Sequence, residues 1–258
     1  MKYTILGFVA LISTIAILFG FKPTVKAAIK NNTNIKGIFE PIAVIELFTS
    51  QGCSSCPSAD KLLSKTIRSN NSKKIFALSY HVDYWNRLGW ADPFSNPSFS
   101  KRQNDYVSTL NLNGAYTPQV VVNGINEFVG SDKNSLSAYL GKALAEKAEI
   151  SFAEIEALQE NEHSVTVKYK LEGNYSGTTI NFALVSLSET TEITRGENGG
   201  LTLTNENIVR QLITQKANGK GEVSFAQSPV PSIGNAAVIV FIQRQNGQKI
   251  IGAAMAKI

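Results

Sequence analysis

The sequence predicts an α/β chain: a mixed-sheet domain built βαβ and then ββα, followed by a smaller β-sandwich-like domain. Three observations predict it. An apolar run, a short turn, an amphipathic stretch and a second apolar run follow one another from Pro41 to Val82. Asn123-Gly124 joins two further apolar runs. After residue 148 the pattern changes from helical spacing to alternation.

In chain order, residues 1–27 read as a signal peptide. Lys2 precedes an uncharged stretch from Tyr3 to Phe21, and Val25-Lys26-Ala27 suits a cleavage site. An uncleaved leader would be the chain's one link to a membrane. Residues 28–40 read as a linker, 41–148 as the mixed-sheet domain and 149–258 as the β-rich domain. Pro41 to Thr49 is apolar and β-branched, as a buried strand is. Ser50-Gln51-Gly52 turns it, and a helix begins near Cys53. Its apolar side holds Ala59, Leu62, Leu63 and Ile67, and Pro57 sits in the first turn, where a missing N–H costs nothing. Lys74 to Val82 is the second strand, parallel to the first.

Between Tyr80 and Tyr116 lie 8 of the chain's 23 aromatic residues, including Trp85 and Trp90. That density marks either a small satellite core under a long insertion or a groove that takes substrate. A polar helix covers Ser98 to Leu110. The Asn123-Gly124 hairpin follows, then a helix capped at Ser131-Asp132 and running to about Lys147. Beyond it, short strands cover roughly 150–158, 165–171, 179–188, 208–215, 221–226, 236–245 and 248–255.

Charge excludes one class of function. The leader holds Lys2, Lys22 and Lys26 and no acid, leaving 22 basic against 20 acidic residues, so the basicity carries no nucleic-acid signal.

The chemistry rests on Cys53-Ser54-Ser55-Cys56, the two cysteines of the chain. As a staple this spacing is weak, worth about 2 kcal/mol for a loop of four residues against about 3 for fifteen. As a redox pair it fits. One thiol attacks as thiolate, the second resolves the mixed disulfide, and a helix N-terminus lowers the pKa of the first. Cys53 is expected to be the solvent-facing nucleophile and Cys56 the resolving thiol. Glu46 interrupts the first strand and is expected to be buried, with a raised pKa, as proton acceptor for Cys56. His81 ends the second strand beside Asp83, where it would steer substrate. Alternatively, Cys53, Cys56 and His81 would bind copper or zinc. His163 reads as a surface residue.

The order βαβ, insertion, ββα is the thioredoxin core, and thioredoxin-like proteins keep a cis-proline facing the dithiol. Thr117-Pro118 stands at that place, just before the hairpin. Val44-Ile45-Glu46-Leu47-Phe48-Thr49-Ser50-Gln51-Gly52-Cys53-Ser54-Ser55-Cys56-Pro57 resembles the opening motif of an exported bacterial thioredoxin-like family, a domain of unknown function numbered twelve twenty-three. His81-Val82-Asp83-Tyr84-Trp85, Leu88-Gly89-Trp90, Asp92-Pro93-Phe94, Tyr116-Thr117-Pro118-Gln119, Val121-Val122-Asn123-Gly124 and Arg195-Gly196-Glu197-Asn198 are similar to its later blocks. Ser58 departs from it, standing where a second proline is expected. The resemblance implies a thioredoxin-like domain and an exported location, and brings no substrate.

The expected function is an exported, periplasmic or secreted thiol–disulfide oxidoreductase. Cys53, Cys56, Pro118, Thr117 and Glu46 would form its catalytic set, and Trp85, Trp90 and His81 would contact substrate. Its partners would be thiol- or disulfide-containing envelope proteins or small thiols, with no nucleic acid and no cofactor. The rival readings are the metal-delivery module and a partner-binding protein in which the β-rich part does the work.

Overall fold

The computed structural model describes residues 39–70, 74–226, 231–232 and 234–258. The expected leader at 1–27 and most of the expected linker lie outside them. β1 (Ala43–Thr49), α1 (Cys56–Ser69) and β2 (Ile75–His81) form the βαβ unit, with β1 and β2 parallel and Thr49 in register with His81. Every residue of β1 is buried, because both faces of the sheet are covered there. Ile45 and Leu47 meet Ala59 and Leu63 of α1 on one face. Val44 and Phe48 meet Phe99 and Tyr106 of α2 (Pro97–Thr109) on the other.

Local chemistry sets the ends. Pro57 opens α1, Asn96 Oδ1 accepts from Ser98 N to cap α2, and Asp132 Oδ1 accepts from Asn134 N and Ser135 N to cap α3 (Lys133–Ala145). β3 (Gln119–Val122) and β4 (Asn126–Val129) turn at Asn123 and Gly124, whose φ values of 48° and 72° are those of a primed hairpin turn. No helix among the described residues is long and apolar enough to cross a membrane.

The second half corrects the expected domain organisation. It contains β5 (Ile150–Asn161), β6 (Ser164–Gly173), β7 (Thr178–Glu192), β8 (Thr202–Lys216), β9 (Lys220–Ala226), β10 (Ala236–Arg244) and β11 (Ile250–Lys257). The strand positions agree with the alternation in the sequence, but residue 148 does not end a sheet. One eight-stranded sheet runs β11-β10-β7-β8-β2-β1-β3-β4, and β5-β6-β9 form a second. The join is β8 beside β2, at Ser79 opposite Ile208, reinforced where Ser79 Oγ donates to Glu206 O at 2.9 Å. Without β8, β2 would present an unpaired edge. The core under α2 mixes both halves, with Val185, Val209, Ile239 and Phe241 packed among Phe48, Tyr80 and Phe99. Sandwich-like packing appears only at the far end, where Val165, Val167 and Phe225 of the small sheet cover Phe182 and Val240.

Candidate active site

Cys53 and Cys56 are joined in a disulfide at the turn from β1 into α1, with Cα atoms 5.4 Å apart. The turn is tightly bonded. Cys53 N donates to Ser50 O at 3.2 Å, Gly52 N to Ser50 Oγ at 3.0 Å, and Cys56 N to Cys53 O at 3.2 Å. Contrary to expectation, Cys53 does not face solvent: both cysteines are 0% exposed, while Ser54 and Ser55 between them are exposed.

The aromatic insertion supplies part of the surroundings. A Cβ placed on Gly52 would lie 3.3 Å from the Trp85 Cβ, so the turn and Trp85 are in contact. Trp85 Nε1 donates to Thr117 Oγ1 at 2.8 Å, and Trp90 Nε1 donates to Gln51 Oε1 at 3.3 Å. The Thr117–Pro118 bond is cis. Pro118 and Ala59, in the first turns of α1, both crowd Gly130, whose N–H donates to Pro118 O at 2.9 Å. Trp85 and Trp90 therefore lie against the cysteine turn, Thr117 is joined to it through Trp85, and Pro118 lies across Gly130 from Ala59 of α1.

Beneath the turn is a buried polar network that periodicity did not reveal. His81 Nδ1 and Asp92 Oδ2 are 2.7 Å apart, and Asp92 Oδ2 also accepts from Gln51 N at 2.8 Å. Burial alone would raise Asp92, but His81 and the N–H groups of Gln51 and Phe94 outweigh it and hold the carboxyl below its ordinary range. Asp60, one helical turn after Cys56, accepts from Thr49 Oγ1 at 3.1 Å. Burial pushes its carboxyl up to about 6, against opposing pulls from His81, Thr49 and Asn205. Asp60 Oδ1 and His81 Nε2 are buried without a hydrogen-bond partner among the described residues. A cleft of about 330 Å³ between α1 and β8, lined by Asp60, Ser64, Asn205 and Glu206, reaches this network from outside. A carboxylate on the apolar side of α1, four residues from Cys56, was the signal available in the sequence for Asp60.

Two expected roles change. Glu46 is buried, but on the α2 face of β1, away from α1 and the disulfide. It accepts from Arg102 Nε at 2.5 Å and Nη2 at 2.9 Å, and from the Tyr106 hydroxyl. Strand alternation sends it there with Val44 and Phe48, so it is an ion-pair partner and not a group beside Cys56. His81 is 0% exposed, with its ring against the Asp92 carboxyl. Asp83 bonds to Ser100 Oγ at 2.5 Å instead of joining His81. In this oxidised form the cysteines are bonded to each other, Asp92 holds His81 Nδ1, and no group of three His, Cys, Asp or Glu that could hold a metal ion occurs among the described residues. His163 is exposed, as expected.

The loop from β7 to β8 completes the site. Asn198 Nδ2 donates to Gln51 O at 2.8 Å and to Cys53 O at 2.9 Å, and Glu197 Oε2 accepts from Ser54 N at 3.0 Å. The loop is closed on itself by Ile193 N to Leu201 O at 2.8 Å and Gly200 N to Ile193 O at 2.7 Å. A Cβ on Gly196, at φ 75°, would lie 3.2 Å from the Trp90 Cβ. Sequence reading placed Arg195 to Asn198 in a resemblance and assigned it no role.

Fold and site define the class: a mixed α/β protein with one large sheet and a buried Cys-x-x-Cys disulfide where an interior strand of that sheet, β1, leads into a helix. A family model described as "Protein of unknown function (DUF1223)" matches residues 44–243, and the chain belongs to that family. A crystal structure of a protein from Agrobacterium tumefaciens is similar over 84% of this chain and 95% of its own, with 28% identity and a TM-score of 0.63. A thioredoxin from Wuchereria bancrofti matches 41% of this chain and 83% of its own, at 16% identity and a TM-score of 0.25. A domain of the Porphyromonas gingivalis outer membrane lipoprotein Omp28 covers 43% and 88%, at 14% and 0.27. Among curated proteins none matches this chain.

Proposed function

We propose that this protein is an exported thiol–disulfide oxidoreductase with a thioredoxin-like core, acting on thiol- or disulfide-containing envelope proteins or small thiols. The observation that carries the reading is the Cys53–Cys56 disulfide at the β1–α1 turn, the place where a helix N-terminus favours a thiolate. The sheet order β2-β1-β3-β4 and the cis Thr117–Pro118 bond beside α1 support it. In the oxidising direction a substrate thiolate attacks one sulfur and the other leaves as thiolate. A second substrate thiolate then breaks the mixed disulfide, so the substrate leaves oxidised and the protein as dithiol. In the reducing direction Cys53, next to the exposed serines, attacks, and Cys56 resolves. Asp60 replaces Glu46 as the proton carrier for Cys56, since it sits one turn below that sulfur with a carboxyl that titrates at about 6.

Trapping tests this reading. Cys56→Ser should accumulate mixed disulfides through Cys53 on non-reducing gels, Cys53→Ser should not, and the parent should reduce an insulin disulfide with a dithiol as regenerant. Neither adducts nor turnover would leave a binding protein as the better reading.

A further inference from the structure

Disulfide exchange needs two sulfurs and a proton carrier. It does not need the β7–β8 loop, yet that loop makes three hydrogen bonds to the redox turn from about 140 residues downstream. The bonds are not generic packing. Asn198, 3% exposed, uses its one amide nitrogen on the carbonyls of Gln51 and Cys53, on either side of Gly52. Glu197 places a carboxylate on Ser54 N, just ahead of α1. Ser54 precedes the N-cap, Ser55, so this carboxylate stands beside the residue that follows Cys53, at the N-terminal end of α1. Hydrogen bonds from Ser54 hold the Glu197 carboxyl below its ordinary range, so it is charged at neutral pH.

We infer that Glu197 and Asn198 are positioning residues that clasp the redox turn in its shielded, oxidised form and so set the couple toward the disulfide. The inference rests on the oxidoreductase reading for its biological use, but not for its chemistry. Reduction adds two electrons and two protons to the S–S bond, both supplied by an external dithiol, which leaves as its own disulfide. Whichever sulfur is attacked, a thiolate passes through the turn. A carboxylate at Ser54 N, on the residue that follows Cys53, opposes that charge. Asn198 acts differently, by holding the Cys53 carbonyl so that the turn cannot swing the sulfurs outward. The titratable groups beneath the turn, Asp60, His81 and Asp92, are common to all variants.

The test is the equilibrium of the full chain with reduced and oxidised dithiothreitol, read by alkylation and mass, alongside the rate of reduction at fixed dithiothreitol. Glu197→Gln keeps an acceptor for Ser54 N and removes the charge. It should shift the equilibrium toward the dithiol by about fivefold at low salt, the size of a charge effect at a helix end, which is about 20 mV for a two-electron couple. High salt should shrink the shift, and Glu197→Asp should restore it. Asn198→Ala should speed reduction at least tenfold. A clasp with a merely structural role would lower the thermal stability of oxidised and reduced protein alike and leave equilibrium and rate unmoved, which overturns the inference. Shifted potentials in a protein without insulin turnover would uphold the clasp and overturn the enzyme reading.

Discussion

Asp60 carries a carboxyl into the interior, one turn past Cys56 and beside a neutral hydroxyl, at a cost in stability. Its folded value of about 6 lies above the ordinary 3.8, so between those pH values the folded state holds a proton that the unfolded state has lost. Its contribution is therefore fully favourable below about 4, falls as pH rises through 6, and is a penalty of about 1–3 kcal/mol above that. Asp60→Asn should be more stable than the parent at pH 8 by about that amount, with the difference vanishing near pH 4, in urea titrations across pH. Parallel stability curves would show that Asp60 is not buried as a charge. Exchange through Cys56 should slow at the same time.

A half-buried cation helps to tie α2 to the sheet. The Arg102 guanidinium grips Glu46 of β1 and lies 5.6, 5.2 and 5.3 Å from the rings of Tyr80, Tyr106 and Phe241. Arg102→Met leaves the Glu46 carboxylate buried without its counter-charge and should cost about 3–5 kcal/mol in urea unfolding. Adding Glu46→Gln should recover part of the loss, because the uncompensated charge disappears. Two independent, additive losses would contradict the pairing. The elements joined here were legible one by one. Apolar runs marked β1 and β2, the polar stretch from Ser98 to Leu110 marked α2, and Asn123-Gly124 marked the hairpin, because each signal depends on near neighbours in the chain. That Glu46 shares a strand face with Val44 and Phe48 was legible. What it meets there was not, since Arg102 lies 56 residues away.

At the scale of the whole molecule, the joint between β8 and β2 makes the two halves one sheet, and their side chains share one core. A fragment ending at residue 148 would expose the β2 edge and the α2 core that Val185, Val209, Ile239 and Phe241 fill. Such a fragment should show no cooperative thermal transition and should aggregate, whereas independent domains would each melt on their own. Far-UV circular dichroism of residues 39–148 decides between them.

By itself the sequence determined the order and type of the elements, the strand-to-helix position of Cys53 and Cys56, the place of Thr117-Pro118 before the hairpin, and the family. These are set by local period, turn chemistry and contiguous motifs. Only the tertiary structure decided that the β-rich half continues the sheet, that Glu46 faces α2 while Asp60 lies under Cys56, and that Glu197 and Asn198 hydrogen-bond to the turn that carries Cys53. Each of these depends on which residues distant in the chain share a face or a strand edge. Spacing in one sequence carries no measure of that distance.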